Sequence, residues 1–184
     1  MRVIAGKYRG KKLTPPEGDA VRPTTDRIKE TVFNIVCSRY GLGERVLDLF
    51  SGSGALGIEA ISRGATHAVF VDKSPESVRL TKFNLKGIEE HTEVYNTDYR
   101  VALSKLTEPF DLILIDPPYK DGLEVEALRI IAERKLLNHG GVIFVEHSHN
   151  NSLINLPSSY IIDTRRCGNT DISFLTVAEE AKED

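Results

Sequence analysis

Cysteine is scarce. The 184-residue chain carries two, Cys37 and Cys167, far apart and in no metal-ligand spacing, which excludes a disulfide scaffold and suits two free thiols in a reducing compartment. No apolar run approaches the roughly 18 residues of a membrane span, and no signal-peptide core follows the basic N-terminus. The expectation is a cytoplasmic protein without a membrane partner. Internal repeats and low-complexity linkers are also missing. What remains is ordinary: 40% hydrophobic and 28% charged residues, the composition of one globular domain that buries roughly two-thirds of its unfolded surface with no metal to hold it together.

The net charge of −3 hides an asymmetry, because residues 1–45 carry ten Lys and Arg against five Asp and Glu. Arg2, Lys7, Arg9, Lys11 and Lys12 fall in the first twelve residues with no acid among them, a segment suited to phosphate contact or to a solvated arm. The chain divides accordingly into a basic arm and connection (1–23), a single domain (24–178) and an acidic tail (179–184).

Three prolines between Thr14 and Pro23 mark an irregular connection, and Thr24, Thr25 and Asp26 offer N-caps to a helix reaching about Tyr40. Cys37 falls beside its apolar stripe and is expected to pack. Strands then alternate with helices: strands at Val46 to Phe50, His67 to Asp72, Thr92 to Asn96, Phe110 to Asp116 and Val142 to Glu146. The helices are Ala55 to Arg63, Pro75 to Leu85, Val101 to Leu106 and Val125 to Arg134, and a turn is expected at Asn138 to Gly141. Tyr160 to Arg166 and Ile172 to Val177 close the chain as a hairpin across Gly168 to Asp171. Alternating units of this kind make an α/β fold with a parallel sheet, to which the hairpin adds an antiparallel strand.

Two motifs carry chemistry. Asp48-Leu49-Phe50-Ser51-Gly52-Ser53-Gly54-Ala55-Leu56-Gly57 holds GxGxxG between a strand and a helix, where backbone approaches a ligand closely. Asp72, twenty residues past Gly52 at a strand tip, can accept from both hydroxyls of a ribose. The acid at Asp48 would repel a pyrophosphate and attract an ammonium, which moves the choice from a nicotinamide cofactor to S-adenosylmethionine. Asp98, after the third strand, is placed to meet an adenine amine or simply to cap a helix.

The second motif, Asp116-Pro117-Pro118-Tyr119, follows an almost wholly apolar strand. An exocyclic base amine is a poor nucleophile because its lone pair is delocalised into the ring. A carboxylate and a proline carbonyl that accept its two N–H groups would hold electron density on nitrogen, and Tyr119 could stack on the flipped base. Glu146-His147-Ser148-His149 has two histidines but no identifiable distant ligand, so no metal site is expected.

These motifs resemble those of class I S-adenosylmethionine-dependent methyltransferases. More narrowly, the run Arg2 to Leu13, then Arg22-Pro23-Thr24-Thr25-Asp26-Arg27 with Phe33-Asn34-Ile35, resembles the RsmD family, which methylates N2 of one guanine in bacterial 16S rRNA. The resemblance spans nearly the whole chain. It implies a Rossmann-like, seven-stranded, mostly parallel sheet with helices on both faces and a C-terminal antiparallel hairpin. It also implies a monomer, S-adenosyl-L-methionine as cofactor, and 16S rRNA within the small ribosomal subunit or its precursor as partner. Carried over by residue, Asp116, Pro117, Pro118 and Tyr119 would meet the target base, and Asp48, Phe50, Ser51, Gly52, Gly54, Asp72, Lys73, Asp98 and Tyr99 the cofactor. Arg2, Lys7, Arg9, Lys11, Lys12, Arg22, Thr24 and Arg27 would meet RNA. Arg165 to Thr170 departs from the family pattern, with Cys167 where an aromatic residue is expected before Gly168. The rival readings are a DNA adenine-N6 or protein-glutamine methyltransferase, since related loops serve those groups, and a non-catalytic RNA-binding assembly factor.

Overall fold

Apolar residues run almost unbroken along the central strands, and because successive side chains point to opposite sides, each strand covers both faces of a sheet. The computed structural model describes residues 1–16, 26–118, 122–149, 153, 155–168 and 170–178. Its seven strands are β1 (Arg45–Asp48), β2 (His67–Asp72), β3 (His91–Asn96), β4 (Phe110–Ile115), β5 (Leu137–Ser148), β6 (Tyr160–Cys167) and β7 (Thr170–Val177). They pair in the order β3-β2-β1-β4-β5-β7-β6. Strands β1 to β5 run parallel, and β7 lies antiparallel between β5 and β6. The helices are α1 (Asp26–Ile35), α2 (Ala55–Ser62), α3 (Pro75–Asn84), α4 (Tyr99–Lys105) and α5 (Leu123–Glu133).

The alternation sorts the core into two layers. Val46, Leu112, Leu114, Val142 and Phe144 pack on one face with Val32 and Phe33 of α1 and Ile58 and Ile61 of α2. On the other face Leu47, Ile113, Ile115, Ile143 and Val145 meet Leu103 of α4 and Leu128 and Ile131 of α5. The order of strands reverses between β1 and β4, where the chain leaves the centre in one direction and returns in the other. Such a switch point opens a crevice at the strands' carboxyl ends.

Three local expectations are corrected. Asn138 to Gly141 do not form a separate turn; they lie inside β5, where the pairing with β4 shifts register between Phe110 and Leu112. Asn138 Nδ2 donates to Asp111 Oδ1 at 2.7 Å, a tertiary contact that overrides the local turn preference. Helix α1 gives way at Val36 to a π-helical turn reaching Tyr40, and Cys37 within it is exposed rather than packed. The first residues are also not a loose arm. Val3 N–H donates to Lys11 O and Gly10 N–H to Val3 O, each at 3.0 Å, and Val3 and Leu13 join the first core layer.

That hairpin is fastened by a buried acid. Glu59 of α2 accepts Ile4 N–H at 2.8 Å and Ala5 N–H at 3.1 Å, and Lys29 Nζ lies 3.7 Å from it with both side chains fully buried. Lys29 in turn donates to Arg2 O. Burial pushes the Lys29 ammonium below its ordinary pKa, against the pull of Glu59 and Asp26.

Candidate active site at the carboxyl ends of the parallel strands

The glycine-rich loop leaves β1 and folds back tightly before α2. Ser51 N–H donates to Val71 O of β2 at 3.0 Å, and Gly54 N–H to Ser51 O at 2.6 Å. Gly52 sits at φ +52, and a Cβ built there would meet nothing within 4 Å; the loop presents open space above a helix N-terminus, the arrangement that admits a ligand's closest atoms. Gly57 serves packing instead, because a Cβ there would fall 2.3 Å from the Phe70 ring. Two residues missed in the sequence reading hold this loop: Thr81 Oγ1 donates to Gly52 O at 3.0 Å and Asn84 Nδ2 to Ser53 O at 2.9 Å. Their signal was available, since Val78, Thr81 and Leu85 share one helical stripe on which Thr81 is polar yet wholly buried.

The acids of the site differ in how they are held. Asp48, 2% exposed, accepts Gly57 N–H at 3.0 Å. Burial pushes its carboxyl up to about 7, the Gly57 N–H pulls it back, and the charge of Asp72 raises it further. Asp72 Oδ2 accepts Gly52 N–H at 2.9 Å and Oδ1 accepts Ser74 N–H at 2.8 Å, so the tip of β2 is tied to the loop and to α3. Asp98 caps α4 through Arg100 N–H at 2.9 Å. Phe50 packs on Tyr99 with ring centroids 5.2 Å apart, and the Tyr99 hydroxyl donates to Glu126 at 2.7 Å, giving an apolar wall beside the loop. Lys73 is exposed, and its carbonyl accepts from Asn96 Nδ2 at 3.0 Å.

Asp116 and Pro117 follow β4, next to β1 across the switch point, where Asp48 pairs with Leu114. Pro117 is buried, Asp116 half-buried and Pro118 exposed. Tyr119, Arg22 and Thr24 lie outside the described residues.

The basic residues separate into two groups. Lys7 Nζ bonds Glu89 at 2.9 Å and Glu90 at 3.0 Å, which hold its ammonium above the ordinary pKa, and Lys11 Nζ donates to Lys86 O at 2.6 Å. Arg9, Lys12 and Arg27 make no side-chain ion pair or hydrogen bond among the described residues. Arg2, Arg9 and Arg27 line a cleft of about 360 Å³ between the hairpin and α1, together with Asp26 and Glu30. The histidines at and just past the end of β5 diverge: His147 Nε2 meets Ser173 Oγ at 2.9 Å, and His149 Nδ1 meets Asp171 at 3.0 Å. A His–Glu convergence that the sequence reading missed lies at the amino ends of β2 and β3, where Glu93 Oε1 is 2.9 Å from His67 Nε2 and 3.6 Å from His91 Nε2. Arg45 Nη1 meets His67 Nδ1 there at 2.7 Å.

Residues 1–176 match the family described as conserved hypothetical protein 95. The YlbH protein of Bacillus subtilis is 43% identical over 152 residues, covering 80% of this chain and 82% of its own length. Ribosomal RNA small subunit methyltransferase D of Escherichia coli K12 is 32% identical over 161 residues, covering 87% of this chain and 81% of its own. Among solved structures, yhhF of Escherichia coli superposes with a TM-score of 0.85 at 30% identity, over 96% of this chain and 97% of that one.

Proposed function

The chain belongs to the conserved hypothetical protein 95 family, the RsmD family of methyltransferases, and from that premise we propose that it methylates N2 of a guanine in small-subunit ribosomal RNA. The observation that carries the reading is the juxtaposition, across the β1–β4 switch point, of an open glycine loop with an Asp-Pro-Pro loop.

The residues fit S-adenosylmethionine, which when bound supplies a methyl group already activated on a sulfonium. The open face at Gly52 admits its polar end, and Asp48 offers a negative charge to its ammonium. Asp72 accepts from ribose hydroxyls, Asp98 from the adenine amine, and Phe50 and Tyr99 wall the adenine, with Lys73 at the rim. At the other loop the Asp116 carboxylate and the Pro117 carbonyl accept the two N–H groups of the guanine amine, keeping its lone pair on nitrogen. Asp116 then takes the proton that the methylated nitrogen sheds. Pro118 stiffens the loop and Tyr119 stacks on the base. Arg2, Arg9, Lys12 and Arg27, with Arg22 and Thr24, contact RNA phosphates, whereas Lys7 and Lys11 support the hairpin that carries them.

The test is transfer of labelled methyl to small-subunit particles, naked 16S rRNA and DNA in parallel, with digestion of the product to nucleosides. Label in N2-methylguanosine from the ribosomal RNA is expected. Label in DNA, label in protein, or none at all overturns the reading.

A further inference from the structure

Helix α3 touches both the glycine loop and the hairpin, yet its outer side has no work in the site described above. The inner side carries Val78, Thr81 and Asn84, all buried. The outer side carries Arg79, Lys82 and Phe83 and, in the turn just past the helix, Lys86, every one exposed. The spacing i, i+3, i+4, i+7 puts these four on one stripe, and Lys86 Nζ stands 4.7 Å from the centroid of the Phe83 ring. Beyond residue 45 the chain is acidic, with 14 Lys and Arg against 22 Asp and Glu, yet Ser77 to Ile88 holds three cations and no acid.

The needs of the fold do not account for this stripe. Arg79 and Lys82 make no side-chain ion pair or hydrogen bond among the described residues. A cation in the last turn complements the helix dipole, which serves Lys82, but that effect fades within a turn and Arg79 stands mid-helix. Phe83 leaves 54% of its surface exposed, so its ring adds little to the core. The stripe is instead continuous with the hairpin. Lys11 Nζ donates to Lys86 O at 2.6 Å, and Asn84 accepts Thr14 N–H at 2.9 Å while donating to Thr14 O at 3.0 Å. The end of α3 therefore abuts the segment that carries Lys11 and Lys12. Cations without acidic partners attract a polyanion, and an exposed aromatic ring among them offers a face to an unpaired base; single-stranded RNA supplies both.

We propose that the outer stripe of α3 is a second RNA-binding surface, adjoining that of the hairpin, on which Arg79, Lys82 and Lys86 take backbone phosphates and Phe83 stacks on an unpaired base. This rests on the ribosomal-RNA reading above. The two kinds of contact differ in their response to salt, because a phosphate contact releases counterions and a stacked base releases none.

The experiment measures binding of the full-length protein to small-subunit particles over a range of salt. Replacing Arg79, Lys82 and Lys86 together by Gln should flatten the log–log salt dependence by about 0.7 to 0.9 per lost contact. Phe83→Ala should weaken binding by roughly five- to a hundredfold with the slope unchanged, and Phe83→Tyr, which keeps the ring, should restore it. Lys105→Gln with Lys135→Gln, two exposed cations at the ends of α4 and α5 on the other face of the sheet, should leave both affinity and slope at wild type. S-adenosylmethionine affinity should be the same in every variant. A triple variant with the wild-type slope, a Phe83→Ala protein that binds like wild type, or an equal slope change in the Lys105 and Lys135 control overturns the assignment. So does a triple variant that binds particles normally but no longer sediments with phosphatidylserine vesicles, which would make the stripe a membrane contact. Each of these outcomes leaves methylation of the ribosomal RNA intact, whereas failure of wild type to bind or methylate the particles would defeat the parent reading.

Discussion

Asp48 gives the sharpest test of how this site is built. Its carboxyl, buried under the first turn of α2, is raised from an ordinary 3.8 to about 7. The folded state therefore holds a proton that the unfolded state has released between those values, and folding stability falls as pH rises through that window. At about 1.4 kcal/mol per pH unit, the gap corresponds to an electrostatic penalty of roughly 4 kcal/mol once Asp48 is ionised. Asp48→Asn keeps an oxygen to accept Gly57 N–H and removes the ionisation. Variant and wild type should have similar stability below about pH 4, the variant should gain steadily up to about pH 7, and the difference should then level off. Urea denaturation without cofactor across that range measures it, each protein serving as the other's control for the remaining titrating groups. The variant should meanwhile bind S-adenosylmethionine more weakly above pH 7, because the charge that destabilises the fold is the one offered to the cofactor's ammonium. A stability difference that stays flat with pH would refute the reasoning.

Asp116→Ala should lower the single-turnover methylation rate by about 10²-fold with cofactor affinity unchanged, and Asp116→Asn should retain more activity than Ala; wild-type rates in both would reduce the loop to a turn. Asp72→Ala should weaken S-adenosylmethionine binding by about 1.5–3 kcal/mol in calorimetric titration, and undiminished affinity would remove its ribose role. Glu59→Ala removes the buried carboxylate facing Lys29 and the acceptor of two backbone N–H groups, so urea denaturation should show a loss of about 3–5 kcal/mol; a loss under 1 kcal/mol would mean that the hairpin is fastened elsewhere. Replacing Arg9, Lys12 and Arg27 by Gln should flatten the salt dependence of particle binding by about 0.7 to 0.9 in log–log slope per lost contact. Lys7→Gln should leave that slope unchanged, its charge being spent on Glu89 and Glu90.

What was legible in the sequence was what depends on neighbours along the chain. The run His67 to Asp72 reads as a strand and is one to the residue, and Ser74 with Pro75 reads as a cap and first turn and is so, Ser74 Oγ accepting Ser77 N–H. What was not legible depends on partners far away. Nothing near Lys7 reveals that Glu89 and Glu90 will neutralise it, because more than eighty residues intervene and only the docking of the hairpin on α2 and α3 brings them together. The glycines at 140 and 141 look like a turn, yet they fall within β5, in the stretch where its register against β4 shifts between the pairs Phe110–Leu137 and Leu112–Val142. The supports of the glycine loop were hidden for the same reason: Thr81 and Asn84 belong to the next helix, and their targets are carbonyls of the loop.

The same distinction resolves the tension between capping and binding at the acids. Each of β1 to β4 is followed or closed by an aspartate, at positions 48, 72, 98 and 116, and a parallel sheet gathers strand ends that lie far apart in sequence onto one rim. In isolation, Asp72 beside Ser74 and Asp98 before Arg100 are ordinary local acceptors, and both do make those bonds. A carboxylate oxygen, however, has two lone pairs, and each oxygen of Asp72 accepts one backbone N–H. The bonds to Gly52 and Ser74 fix the carboxylate's plane and leave one lone pair on each oxygen, which matches the two hydroxyls of a ribose. Local hydrogen bonding is then the means by which the acid is oriented before any ligand arrives, and an acid without it would lose entropy on binding that Asp72 has already lost on folding.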